Sequence, residues 1–213
     1  SNHFNTVLWT GDGNDDRSIT GVGFQPDMVW WKERSSTSAH YISDVVRGAT
    51  KQIIPSGANT ENNNTDELQA FESDGFQIGT EASINQDTIT MVAWNWKAGN
   101  ANTAFSESGN NPAGTHRANV AAGFSIVSYV GTGAAGTVAH GLGVAPELML
   151  IKNRDVNDPW AVYYGDNTDY LVLNTTAATA DAATYFNDTS PTATVFTVST
   201  AHSVNADAEN YIA

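Results

Sequence analysis

The stretch GVGFQPDMVWWKER at 21–34 returns as GLGVAPELMLIKNR at 141–154. Both read Gly-x-Gly, two residues, Pro, an acid, four apolar residues and Lys-x-Arg. The distance is 120 positions, and the same offset holds along most of the chain. Phe4, Val7, Gly11 and Gly13 meet Phe124, Val127, Gly131 and Gly133; Phe76, Thr80, Ser83, Asn85, Asp87 and Ala93 meet Phe196, Thr200, Ser203, Asn205, Asp207 and Ala213. A long internal repeat means one folding unit made twice. The expected organisation is a first unit at 1–98, a linker at 99–119 rich in Gly, Asn and Ser, and a second unit at 120–213. Unit one ends ITMVAWNWKAG, whereas Ala213 is the partner of Ala93. The last strand of unit two is therefore expected to be truncated, as in a piece of a longer polypeptide, with an unpaired edge.

Each unit breaks into short apolar runs separated by Gly, Asn, Asp and Ser clusters. Runs such as FNTVLWT, PDMVWWKER and ITMVAWNWK read as strands, and unit two repeats them as FSIVSYVG, PELMLIKNR and ENYIA. Six or seven such strands per unit predict an all-β protein, two homologous β-sandwich units (jelly-roll or lectin-like) in tandem. Only NTDELQAF near 64–71 carries a helical spacing. In the repeated sentence the glycines allow positive φ or close approach. Pro starts a strand, where no ladder donor is needed. Lys and Arg are expected to mark the strand's exit into solvent.

Charge narrows the function. Charged residues are 15% of the chain, against a usual share of roughly a quarter, and the net charge is −14. A phosphate backbone or an anionic bilayer would be repelled, so nucleic acid and membrane surfaces are not expected partners. No apolar run approaches the roughly 20 residues of a membrane span. With no cysteine, disulfides and thiolate metal sites are excluded.

Catalytic and metal motifs are sparse. Asp12, Asn14 and Asp16 have the opening spacing of a calcium loop, but Arg17 stands where Gly is needed and no Glu closes the loop. The five histidines show no metal spacing, and no nucleophile elbow occurs. No metal and no cofactor is expected. Abundant carboxylates leave a glycosidase pair open without pointing to one. Aromatic residues are more informative. Trp94 and Trp96 share one strand face and are expected in the core, while Trp30 and Trp31 point to opposite faces. Trp160, Tyr163 and Tyr164 cluster, aligned with the segment that begins His40-Tyr41. These five are the candidate sugar-stacking platform, with core packing as the rival reading.

The combination FNTVLWTGDG, RSITGVGFQPDMVWWKER, VVRGATK, FESDGFQIG and VAWNWKAG resembles a repeat of tail-fibre and other virion proteins of tailed bacteriophages. AGFSIVSYVGTGAAGTVAHGLGVAPELMLIKNR is similar to the companion half. The resemblance implies a concanavalin-A-like, lectin-like sandwich in an extracellular virion tail. It implies other fibre subunits as partners, a homotrimeric assembly and a host cell-surface glycan as ligand. It carries over no catalytic residue. Unit two departs from the pattern, reading GDNTDY where unit one has VRGATK. The expectation is a non-enzymatic structural and host-attachment segment. The alternatives are a carbohydrate-binding module and, behind it, a polysaccharide depolymerase.

Overall fold

A computed structural model describes residues 2–213. The chain is all-β, as its alternating runs predict. It divides into two compact units, Ser1–Ser56 with Glu61–Ala98, and Gly57–Thr60 with Gly99–Ala213.

The first unit contains β1 (Phe4–Thr10), β2 (Arg17–Thr20), β3 (Met28–Glu33), β4 (His40–Asp44), β5 (Gly48–Ile53), β6 (Asn62–Asn63), β7 (Leu68–Glu72), β8 (Gly75–Ile78), α1 (Ala82–Asn85) and β9 (Thr90–Trp96). A six-stranded sheet in the order β1-β9-β3-β4-β5-β6 faces a three-stranded sheet, β2-β8-β7. Their inner faces interdigitate as a sandwich core. Val7, Trp9, Val29, Trp31, Met91 and Ala93 come from one sheet, and Ile19, Leu68, Phe76 and Ile78 from the other. Along β1, β3 and β9 the inward residues alternate, as the period of two demands.

The second unit contains β10 (Thr103–Phe105), β11 (Gly114–Asn119), β12 (Phe124–Val130), β13 (Gly136–Ala139), β14 (Met149–Asn153), β15 (Ala161–Tyr163), β16 (Asp169–Val172), β17 (Ala180–Asp181), α2 (Ala183–Phe186), β18 (Val195–Val198), α3 (His202–Asn205) and β19 (Asn210–Ile212). Its large sheet runs β10-β11-β12-β19-β14-β15-β16-β17, with β13-β18 as the small one. From β12 onward the strand order matches that of the first unit's large sheet.

The repeat is visible in the pairing. Trp9 faces Met91 across β1 and β9, and Tyr129 faces Tyr211 across β12 and β19. Trp9 meets Phe76 edge-on at 5.7 Å, and Tyr129 meets Phe196 edge-on at 6.2 Å. Gly11 and Gly131 recur because the backbone comes close there. A Cβ would lie 2.0 Å from the Gln86 oxygen or 2.1 Å from that of Ala206. Asn85 and Asn205 are fully buried and pin the turn after the first strand of each unit. Asn85 accepts from the Asp12 amide and donates to the Asn14 oxygen; Asn205 accepts from the Thr132 amide and donates to the Ala134 oxygen.

The offset slips once. Ile19 pairs with Phe76, and Val138 pairs with Phe196, so β13 stands 119 positions after β2 rather than 120. The turn before β13 is one residue shorter, and His140 restores the count after it. Burial decides the register. Ile19 is 5% exposed and Val138 is closed from solvent, whereas a constant offset would match Val138 to polar Ser18.

Four expectations need correction. NTDELQAF is not helical, because β7 runs through it. A register shift between Leu68 and Ala70 inserts Gln69, so Leu68 and Phe71 both turn to the core three positions apart. The bulge imitates a helical spacing. The segment at 99–119 is not an irregular linker, since β10 and β11 extend the large sheet of the second unit from β12. His116 and Ala118 alternate with Arg117 and face Val127 and Ser125. The repeated lysines do not extend freely into solvent, Lys152 being fully buried and Lys32 half-buried, although Arg34 is exposed as expected. Lys32 Nζ turns back onto the oxygens of Glu33 and Ser36, and Lys152 Nζ onto those of Asn153 and Val156. An ammonium with three donors caps the bend that closes each strand. Finally, β7 has no counterpart in unit two, where α2 seals the core with Phe186. β19 is short beside β9, and Ala213 exchanges both main-chain hydrogen bonds with Val127.

Candidate functional site

The register that sends Trp31 inward sends Trp30 outward. On β9 the inner set is Met91, Ala93 and Asn95, so Trp94 and Trp96 face out. Trp30 lies opposite Trp94, with Thr6 on the other side of Trp94. His40, at the start of β4, closes the group. The Trp30 indole N–H donates to His40 Nδ1 at 3.0 Å. The His40 ring stacks on Trp94 at 6.4 Å and 11°, and the Trp30 ring meets Trp94 edge-on at 6.3 Å and 79°. All three rings are half-buried. An Nδ1 that accepts a proton is that of an uncharged imidazole. Burial, with Lys32 adding repulsion, lowers the His40 pKa and holds the ring neutral. Farther along the same face Leu8 is 61% exposed. The result is an aromatic patch on the sheet face, held by one hydrogen bond and three ring contacts.

The five residues expected as a platform do not form one. His40 belongs to the outer patch. Tyr41, its neighbour, points to the opposite face and stacks on Trp31 at 5.5 Å. Trp160 is 3% exposed and Tyr163 lies in the core against Phe186. Only Tyr164 reaches solvent, its hydroxyl donating to Asp169 Oδ2 at 3.4 Å. Alternation along β15 separates Tyr163 from its neighbours, so the cluster in sequence is not a cluster in space. Trp94 and Trp96, expected in the core, both lie on the outer face. Buried Asn95, which donates to the oxygens of Asn5 and Ala93, gives the inner face a polar look in sequence. The pairing of Met91 and Ala93 with Tyr211 and Ala213 in the repeat was the available signal for the inner set.

Several charged groups have partners within their own unit. Arg47, in VVRGATK, is wholly buried and donates to Asp44 Oδ2 at 2.6 Å, Glu61 Oε2 at 3.2 Å and the Ile42 oxygen. Unit two has Tyr164 where unit one has Asp44, which accounts for the loss of the motif. Glu67 is 3% exposed; burial pushes its pKa up to about 7, Glu81 adds repulsion, and the Ser83 hydroxyl donates to it. Burial lowers Lys152 to about 8. His202 sits between Asp158 at 2.5 Å and Glu209 at 3.4 Å, and its pKa is raised, chiefly by the Asp158 hydrogen bond. In the Asp12 loop the Arg17 guanidinium lies 3.3 Å from the Asp12 carboxylate, where a calcium ion would need that charge. Among the described residues no group of three or more His, Asp or Glu is placed to hold a metal.

One family model matches residues 1–213, described as a domain of unknown function (DUF7483). The chain belongs to this family. No curated protein and no solved structure matches it.

In this DUF7483 chain the Gly-x-Gly turns are a second polar feature. Gly21 and Gly23 have φ of 92° and 85°, so their amides converge on one point. The Asp74 carboxylate fills it. Gly21 N–H donates to Oδ2 at 3.1 Å and Gly23 N–H to Oδ1 at 2.6 Å. The intervening Val22 N–H donates to the main-chain oxygen of Asp74 at 3.2 Å.

Proposed function

We propose that this chain is a non-enzymatic attachment segment that holds a cell-surface polysaccharide on the outer aromatic face of its first unit. The observation that carries this reading is the Trp30–His40–Trp94 group. Indole and imidazole faces present C–H-stacking surface, and the neutral His40 adds no charge to desolvate. The sheet holds the rings before a ligand arrives, so little ordering entropy is lost on binding. The resemblance of the repeat to phage tail-fibre segments supports a place in an extracellular fibre, beside other virion subunits and in a trimeric assembly. A depolymerase is less well supported. Glu67 has a pKa suited to a general acid, but at 3% exposed it lies out of reach of a polymer.

The test is retention of the chain on polysaccharides from candidate host bacteria, with released reducing ends measured alongside. Retention without release is expected, and Trp94→Ala is expected to abolish it while leaving the unfolding midpoint near that of the parent. Release of reducing ends would establish an enzyme instead. Retention unchanged in Trp94→Ala would remove the aromatic face.

A further inference from the structure

The two Gly-x-Gly turns share a backbone shape but not an occupant. Gly141 and Gly143 have φ of 72° and 75°, as at Gly21 and Gly23. In unit one a carboxylate fills the turn. Its counterpart in unit two, Asp74 shifted by 120, is Thr194. Thr194 turns elsewhere: its amide donates to Thr192 Oγ1, and its own oxygen accepts from the His140 amide at 3.2 Å. The middle amide, Leu142, donates to His140 Nδ1 at 3.2 Å. The outer amides of Gly141 and Gly143 have no acceptor among the described residues. Gly143 is exposed, and Val144 (58%) and Leu148 (62%) stand open nearby.

A second observation lies beside the turn. β11, present only in unit two, brings His116 against Gly141. A Cβ on Gly141 would lie 2.5 Å from His116 Nδ1, a buried nitrogen with no hydrogen-bond partner among the described residues. Converging amide donors at positive φ, with the neutral His116 ring in its Nδ1–H tautomer as a further donor beside Gly141, make a concavity for an anion. Unit one shows which anion this shape accepts: a carboxylate, bound through both oxygens.

We propose that the Gly141–Leu142–Gly143 turn binds the carboxylate of an acidic sugar, the uronate of a polysaccharide. The proposal rests on the attachment reading for the identity of the polymer. Exposed Val144, the chain neighbour of Gly143, offers apolar surface to the ring that carries the carboxylate. The donors are uncharged amides, so the site recognises an anion within a chain of net charge −14. The wider repulsion is screened beyond about 8 Å at physiological salt.

The test is amide NMR of the full chain in 0.15 M salt, titrated with glucuronate, glucose and acetate. Gly141 and Gly143 amides are expected to move with glucuronate, less with acetate, and not with glucose. Gly21 and Gly23 are expected to stay still, because Asp74 already occupies them. In Asp74→Ala they are expected to respond to glucuronate as Gly141 and Gly143 do. In Trp94→Ala the Gly141 and Gly143 response is expected to persist, so failure of the aromatic face and failure of this site read out separately. Equal movement with glucose and glucuronate would overturn the proposal, as would silence of Gly21 and Gly23 in Asp74→Ala. Acetate matching glucuronate would overturn the sugar assignment.

Discussion

The indole N–H of Trp9 donates to the main-chain oxygen of Ile84 across 3.1 Å, joining the first strand to the short helix 75 positions later. In the second unit the hydroxyl of Tyr129 donates to Val204, at 2.6 Å and the same separation. The acceptor, the distance in sequence and the buried setting persist, while the donor changes chemistry. Each unit therefore keeps a tether that a hydrocarbon side chain could not supply.

Removing the donor alone tests the tether. Tyr129→Phe leaves the ring and strands the buried oxygen of Val204. A loss of about 1–3 kcal/mol is expected in denaturant unfolding. An unchanged midpoint would show that the oxygen finds another partner.

Trp31→Ala and Trp160→Ala remove buried rings, at 0% and 3% exposure. Each is expected to cost about 3–5 kcal/mol. Trp94→Ala, on the outer face, is expected to cost far less, and the contrast is read by denaturant titration of all three.

Glu67 makes stability depend on pH. Its folded pKa is raised to about 7, above its unfolded value, so the folded state holds the proton more tightly. Stability is full below the unfolded pKa and falls as pH rises to about 7. Glu67→Gln is expected to flatten that slope and to raise stability at pH 8 by up to about 3 kcal/mol. A slope that survives the substitution would assign it to other groups.

His202 shifts in the same direction by a different cause. The Asp158 hydrogen bond raises its folded pKa, so its contribution is present below the unfolded pKa of about 6.5 and lost as pH climbs through the folded one. In NMR the His202 ring is expected to titrate above the ordinary histidine value. Asp158→Asn is expected to bring it back down, and an unaltered titration would shift the cause to Glu209.

Much of the fold was legible because alternation and duplication reinforced each other. Phe4–Thr10 and Phe124–Val130 read as the same strand, and both are. The errors have physical sources. The bulge at Gln69 turned a strand into a helical spacing. The segment at 99–119 reads as a linker because β10 and β11 are almost without buried apolar residues; they hold to the sheet by main-chain pairing, which leaves little trace in composition. The lysines read as outward-facing because cations rarely turn back on nearby carbonyls, and nothing in the letters marks the bend that rewards it. At the candidate site, His40 was named only because it aligns with Trp160 across the repeat, and the partners it has in the structure, Trp30 and Trp94, are not the ones that alignment suggests. Trp94 is harder to place, because both faces of β9 carry large or polar side chains and only the match of Met91 and Ala93 to Tyr211 and Ala213 in the repeat marks the inner one.

The one-residue slip at β13 bears on anyone who would build a consensus from these two copies. Averaging columns at a constant interval would set Ser18 against Val138 and Ile19 against Ala139, and would write polar or undersized side chains into the buried row facing Phe76 and Phe196. A designer who lets the inward row set the frame, and deletes and restores a residue at the two turns, would recover Ile19 with Val138. In this duplicated chain the unit of inheritance is the inward row of side chains, and the turns are where the spelling is free to change length.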